Sequence, residues 1–160
     1  MLNPYLLNEV GEFEFTFCTQ NGILYNAVFI SYADMFYSHA HIAHKIYTFN
    51  LDILCDEIKT THIDERIGQT IAVIFNKFFE NDEHAVIYLC DSLDDRQLAR
   101  KRKFDYWFWK YSKDTIVKED GYAIVEGVEI LSSVIMRSDN PYFNDILFAF
   151  AEINRNAEEK

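Results

Sequence analysis

Six consecutive apolar residues, Ala85-Val86-Ile87-Tyr88-Leu89-Cys90, lie between His84 and Asp91. A strand covered on both faces keeps such a run out of water, so this segment is expected inside a sheet rather than at its rim. Asp91 and Ser92 end it. The rest of the chain must supply neighbouring strands and material for two covering layers.

Strand signals precede the run. Phe13, Phe15 and Phe17 alternate with Glu12, Glu14 and Thr16, the period-2 pattern of a strand with one buried face. Asn21-Gly22 follows, and both residues accept the positive φ of a type I′ turn, so a second strand over Ile23–Ser31 is expected to return beside the first. Ile46–Ile53 alternates partly, with Tyr47, Phe49, Leu51 and Ile53 on one side, and reads as a third strand.

The period then changes. Between Asp64 and Glu80, Ile67, Ile71, Ile74, Phe75 and Phe78 follow the spacing of one helical face, and Asp64 and Glu65 favour the positive end of its dipole. Ser92 followed by Asp95 resembles a capping arrangement, and residues 93–112 contain neither Gly nor Pro, which predicts a second helix with Phe104, Trp107, Phe108 and Tyr111 facing the core. Two strands are expected at Tyr122–Val125 and Val128–Arg137, joined at Glu126-Gly127, with Thr115–Lys118 open between strand and loop. Asn140-Pro141 matches a cap and first-turn proline, and Phe143, Ile146, Leu147, Phe150 and Ile153 form the stripe of a last helix. Residues 154–160 are expected to fray.

The order β-β-β-α-β-α-β-β-α predicts an α+β fold, one mixed and largely antiparallel sheet packed with about three helices. No linker, repeat or low-complexity tract divides the 160 residues, so they read as a single globular domain. A domain of this length buries about 68–70% of the surface its unfolded chain would expose. With 14 Phe, 10 Tyr and 2 Trp, its interior is expected to be aromatic.

Composition narrows the function classes. Fifteen Lys and Arg against 26 Asp and Glu leave a formal net charge of −11, which repels phosphate backbones and anionic lipid, so nucleic acid and membranes are disfavoured partners. No run approaches 18 apolar residues and the first ten residues lack a signal-peptide pattern, which gives a cytoplasmic expectation. Cys18, Cys55 and Cys90 are three thiols among apolar neighbours and are expected to be reduced core residues.

The segment Tyr88-Leu89-Cys90-Asp91-Ser92-Leu93-Asp94-Asp95-Arg96-Gln97, continuing through Ala99-Arg100 and Arg102-Lys103-Phe104 to Trp107-Phe108, resembles the signature of a family of small uncharacterised bacterial proteins, a domain of unknown function. Met136-Arg137-Ser138-Asp139-Asn140-Pro141 is similar to it as well. The resemblance implies a bacterial cytoplasmic origin, and carries over neither a reaction nor catalytic residues.

The most unusual local feature is the cluster Arg96, Arg100, Lys101, Arg102 and Lys103, five of the chain's 15 basic residues within eight positions. On a helix Arg96, Arg100 and Lys103 share a face near an N-terminus that follows the apolar strand, where anions often bind. Ser92, Arg96, Arg100 and Lys103 are therefore the candidate ligand-binding residues. Against them stand Asp91, Asp94 and Asp95 at the same end and the lack of a Gly-rich loop. In the structural alternative the cations pair with local aspartates, for example Asp105 with Lys101 or Arg102. Arg100 is the member expected to be held most internally, more than Lys101.

Tyr106, Trp107, Phe108 and Trp109 cannot all face inward, because successive helical residues turn about 100°. One or two rings should reach the far face. His39, His41 and His44 are the only metal-like spacing, on the reasoning that positions 39 and 41 of a strand point the same way, but no carboxylate lies within the triplet and no metal or cofactor is expected. His62 and His84 read as lone surface histidines. No Ser sits in a Gly-flanked elbow and no Cys has a neighbouring His, so no catalytic residue is named. The leading expectation is a non-enzymatic interaction or regulatory module whose partner is another protein or a second copy. The alternative is a small-anion or nucleotide-binding domain, or a small enzyme, using the basic helix 96–103.

Overall fold

In the computed structural model, which describes residues 3–55, 64–91 and 96–158, the strands form one sheet of seven. They are β1 (Asn8–Gly11), β2 (Glu14–Cys18), β3 (Leu24–Ser31), β4 (Ile46–Cys55), β5 (Ala85–Asp91), β6 (Ile116–Val125) and β7 (Val128–Arg137), in the spatial order β1-β2-β3-β4-β5-β7-β6. The pairing of β4 with β5 is parallel and every other pairing is antiparallel. The helices are α1 (Ala40–Ala43), preceded by a 3-10 turn over Ala33–His39, then α2 (Glu65–Phe78), α3 (Gln97–Tyr111) and α4 (Phe143–Glu158). The α+β fold is thus a mixed sheet with helices on both faces, and α4 runs through most of the segment expected to fray.

Alternation along β5 distributes its side chains between two cores. Val86 and Tyr88 pack with α2 and α3, while Ala85 and Ile87 pack with α1 and α4. Ala85, Val86 and Ile87 are each at most 3% exposed, as the apolar run predicts. Leu89, on the α4 face further along, is 41% exposed, so the double cover ends before the strand does.

Asp64 caps α2 by accepting a hydrogen bond from the Arg66 backbone N–H at 2.9 Å. All five residues of the predicted stripe are buried, and Phe78 stacks on Phe29 of β3 with ring centroids 4.0 Å apart. A Cβ at Gly68 would fall on the Trp107 indole, so the missing side chain is what lets α2 and α3 close together. At the other end of the chain Asn140 is 4% exposed; its Oδ1 accepts from the Tyr142 N–H at 2.8 Å and its Nδ2 donates to the His84 carbonyl at 3.3 Å. One side chain thereby starts α4 and ties it to the entrance of β5.

The two hairpins differ. Glu126 and Gly127 have φ of 52° and 81°, the primed two-residue turn that matches strand twist. Asn21 does not take positive φ; Gly22 alone does, at 82°, and the Thr19 N–H reaches the Ile23 carbonyl at 2.9 Å across a three-residue loop. The Thr19 hydroxyl accepts from the Ile23 N–H at 3.1 Å, which favours the longer loop over the expected type I′ turn.

Several single-residue expectations are corrected. Phe13 lies outside β2 with φ 59°, although its ring still packs against Tyr47, Phe78 and His84. His84 is not on the surface: it is 8% exposed, stacked on Phe78 with centroids 4.4 Å apart. Cys18 is exposed because it ends β2 on the sheet's open face; Cys90 is buried, and the Cys55 side chain lies outside the described residues. The short β1 and α1 had no sequence signal of their own, and of Thr115–Lys118 the residues from Ile116 on begin β6 while Thr115 ends the preceding turn.

Candidate functional site

Helix α3 follows β5 and lays its basic half across the α2 face of β6 and β7. Lys101 Nζ lies 2.9 Å from Asp105 Oδ2 and 3.3 Å from Asp120 Oδ1. Lys118 Nζ, from the edge strand, lies 3.0 Å from Asp105 Oδ1 and 2.6 Å from Asp120 Oδ1. Ser133 Oγ donates to the same Asp120 oxygen at 2.7 Å. Two lysines and two aspartates thus alternate between helix and strand with no net charge. The lysine side chains are 17% and 13% exposed, the aspartates 37% and 55%, so the cations sit deeper than the anions.

Burial alone would raise the pKa of Asp120. Hydrogen bonds from Lys118 and Ser133, with the charges of Lys118 and Lys101, outweigh it and hold the carboxyl at about 2. Lys101 is the mirror case: burial favours the neutral amine, but the hydrogen bond and charge of Asp105, then those of Asp120, keep it protonated and raise its pKa. Beside the network, burial pushes Tyr88 and the Cys90 thiol up, and the Arg100 charge opposes both shifts.

Three members of the predicted anion-binding quartet, Arg96, Arg100 and Lys103, lie on or at the start of α3 within the described residues. Ser92, together with the Asp95 of the expected cap, lies outside the described residues. Arg96 is exposed at the N-cap of α3 and makes no side-chain cap bond, and Lys103 is exposed with Nζ 5.1 Å from the Trp107 ring centroid. Arg100 is half-buried, and both it and Arg96 have interaction partners. Lys101, the residue expected to be held less internally than Arg100, lies in the paired network.

The aromatic run divides as helical geometry requires. Trp107 is 8% exposed in the core, whereas Trp109 is 82% exposed. Tyr106 donates to Glu65 Oε1 at 2.9 Å, Lys110 donates to Glu65 Oε2 at 3.2 Å, and the Tyr111 hydroxyl donates to Oε2 as well. These bonds, that of Tyr111 foremost, lower the Glu65 pKa and clamp the end of α3 to the start of α2. The tyrosines thereby form a clamp between the two helices.

His39 and His41 do not lie on a strand; they fall in the 3-10 turn and in α1. Each faces an acid of α4, His39 Nε2 at 3.6 Å from Glu152 Oε1 and His41 Nε2 at 3.4 Å from Asp145 Oδ2. The two pairs are separate, and among the described residues no group of three His, Cys, Asp or Glu side chains is arranged to hold a metal ion.

Sequence reading missed the groove at the free edge of the sheet. Strand β6 pairs with β7 on one side only, and its other side faces a groove of about 550 Å³ between Glu119–Tyr122 and the α4 residues Leu147, Phe150, Asn154 and Arg155. Gly121 lies where a Cβ would meet Asn154 Nδ2, Phe150 Cζ and Ser132 Oγ, so glycine lets α4 approach the strand. The two-residue turn makes Val125 and Val128 a hydrogen-bonded pair, and the antiparallel alternation then turns the main-chain groups of Ile124, Tyr122, Asp120 and Lys118 toward the open side. Gly121 was the available signal, a glycine inside a strand pattern. No helix among the described residues is long and apolar enough to cross a membrane.

A family model described as a family of unknown function, DUF6169, matches residues 63–152. The match spans more than half of the chain, and the chain belongs to that family. It takes in β5, β6, β7, α2 and α3, and with them the whole charged network. No curated protein and no solved structure matches.

Proposed function

We propose that this member of a family of unknown function is an interaction module without chemistry of its own, and that it binds an extended cationic segment of another protein along the open edge of β6. The observation that carries the reading is the groove itself, beside a helix and along a ten-residue strand that stands at the end of the sheet order. An added strand gains main-chain hydrogen bonds there, and alternate side chains of the guest would enter between Leu147 and Phe150.

Charge selects the guest. The chain carries −11, and among the described lining residues Glu119 and Asp120 outnumber the one cation, Arg155, so an approaching cationic segment is steered in while acidic ones are repelled. Lys118 and Asp120 point their charges inward from this edge, a device that keeps edge strands from pairing indiscriminately. Pairing of two copies through β6 would oppose two acidic chains, which favours a different protein as the guest.

The basic half of α3 supports the anion-binding alternative less well, because Lys101 is held by Asp105 and Asp120 and Lys103 lies over Trp107. A displayed library of random ten-residue peptides tests the proposal. Selected peptides should be enriched in Lys and Arg and should shift the backbone NMR signals of Lys118–Ile124 on titration. Peptides that instead perturb the first turns of α3, or a library that yields no binder weakened by Glu119→Lys, would overturn it.

A further inference from the structure

On the α4 face of the sheet a second space is separated from the edge groove by Phe150 and Asn154, which border both. It is a cavity of about 110 Å³ walled by Phe36, Ile87, Ala123, Ile130 and Ile153, with Met35 and Leu89 at its exposed margin. Among the described residues no charged side chain lines it. Ser132, 3% exposed, also lines it, and its Oγ has no hydrogen-bond partner. The neighbouring Ser133, on the opposite face of β7, donates to Asp120 at 2.7 Å. Adjacent serines are thus buried on opposite sides of the strand, one satisfied and one not.

A buried hydroxyl without a partner is a cost to the fold unless something that binds there supplies the missing bond. The register shows why Ser132 stays unsatisfied. Its cross-strand neighbours on this face are Leu89 and Gly121, an apolar side chain and no side chain at all. A charged ligand would lose hydration with no opposite charge among the described lining residues to replace it. A dry apolar cavity of about 150 Å³ is known to hold benzene, so a somewhat smaller one suits a single ring or a short aliphatic chain.

We propose that this cavity is a binding site for a small uncharged molecule, one ring or about five to six carbons, whose single hydrogen-bonding group meets Ser132 Oγ. Met35, unbranched and 47% exposed, is placed to swing aside for entry. The site does not depend on the peptide groove, and its test reads different residues.

Phenol and toluene are the probes, matched in ring but differing in the polar group. Titrated into protein labelled at Ile and Met methyls, phenol should shift Met35, Ile87, Ile130 and Ile153 and leave the β6 amides unmoved. Ser132→Ala removes a hydroxyl without a partner, so the variant should fold as the parent does. It should weaken phenol about tenfold while toluene is unchanged or tighter. Ala123→Leu, which fills the space, should abolish both. The proposal is overturned if neither probe shifts these methyls at millimolar concentration, if Ser132→Ala weakens both equally, or if Ala123→Leu folds and still binds.

Discussion

Removing Lys118 should show whether the charged network holds α3 onto the sheet. Lys118→Met keeps the aliphatic stem and deletes the charge, leaving Asp105 and Asp120 to share Lys101. Losing one member of a fully buried pair costs about 3–5 kcal/mol and of an exposed pair about 0–1 kcal/mol. Lys118 is 13% exposed but its partners are 37% and 55% exposed, so the expected loss lies between, about 2 kcal/mol. In a domain of this size that lowers the melting temperature by about 4–8 °C. Coupling is the sharper readout. Asp120→Asn should cost about 1 kcal/mol less in the Lys118→Met background than in the parent, because the charge it removes has already lost its nearest partner. Acid adds a second signature. The Asp120 pKa is lowered from its usual 3.8 to about 2, so its stabilisation is complete above 3.8 and is lost as the pH falls from there toward 2. The parent should show this decline in urea titrations at low ionic strength, and Lys118→Met should show less of it. Single losses under about 0.5 kcal/mol that add without coupling would refute the network's role.

Other perturbations test other parts of the fold. Val86→Asp places a carboxylate at a site with no exposure between β4 and β7 and should cost at least about 4 kcal/mol; an unchanged thermal midpoint would remove β5 from the sheet's interior. Gly121→Val should collide with Phe150 and Asn154, loosening α4 from β6 at a cost of about 1–3 kcal/mol, with faster amide exchange in α4 as the check. Burial lowers the His84 pKa below its usual 6.5, the Phe78 carbonyl only partly opposing it, so the unfolded chain binds the extra proton. Stability should therefore be complete above pH 6.5 and decline below it, and His84→Gln should flatten that decline in denaturant titrations at pH 7.5 and 5.5.

Most of the fold was legible because its signals are periodic and local. Phe15 and Phe17 alternate inward, the stripe from Ile67 to Phe78 marks α2, and the unbroken run at β5 required cover on both faces. What escaped was set by tertiary partners. β1 has four exposed residues and no apolar pattern, so only its pairing with β2 defines it. His84 looks like any surface histidine until Phe13, Tyr47 and Phe78 surround it. Within the basic cluster, helical spacing placed Arg100 at the edge of the apolar face but could not show that β6 brings Lys118 and Asp120 opposite Lys101. The groove was invisible for the same reason, being made by a strand and a helix more than 20 residues apart in sequence.

The two edges of the sheet make the β6 reading more than a choice among surfaces. β1 is four residues long with a register shift between Glu9 and Gly11, which leaves little regular edge for a guest strand. Beyond it, the bare face of β2, β3 and β4 mixes Thr16, Asn26, Thr48, Asn50 and Asp52 with the exposed Ile30 and Leu54, and among the described residues no helix there frames a groove along a strand edge. β6 is ten residues long, regular along its length, and backed by helices on both faces. Its interior charges are already neutralised by α3, so a guest would not have to desolvate them. A partner strand would therefore find at β6 a long ordered ladder beside an apolar wall, whereas the groove beside β1, lined by Phe13, Phe15 and Phe78, adjoins only four residues of interrupted ladder.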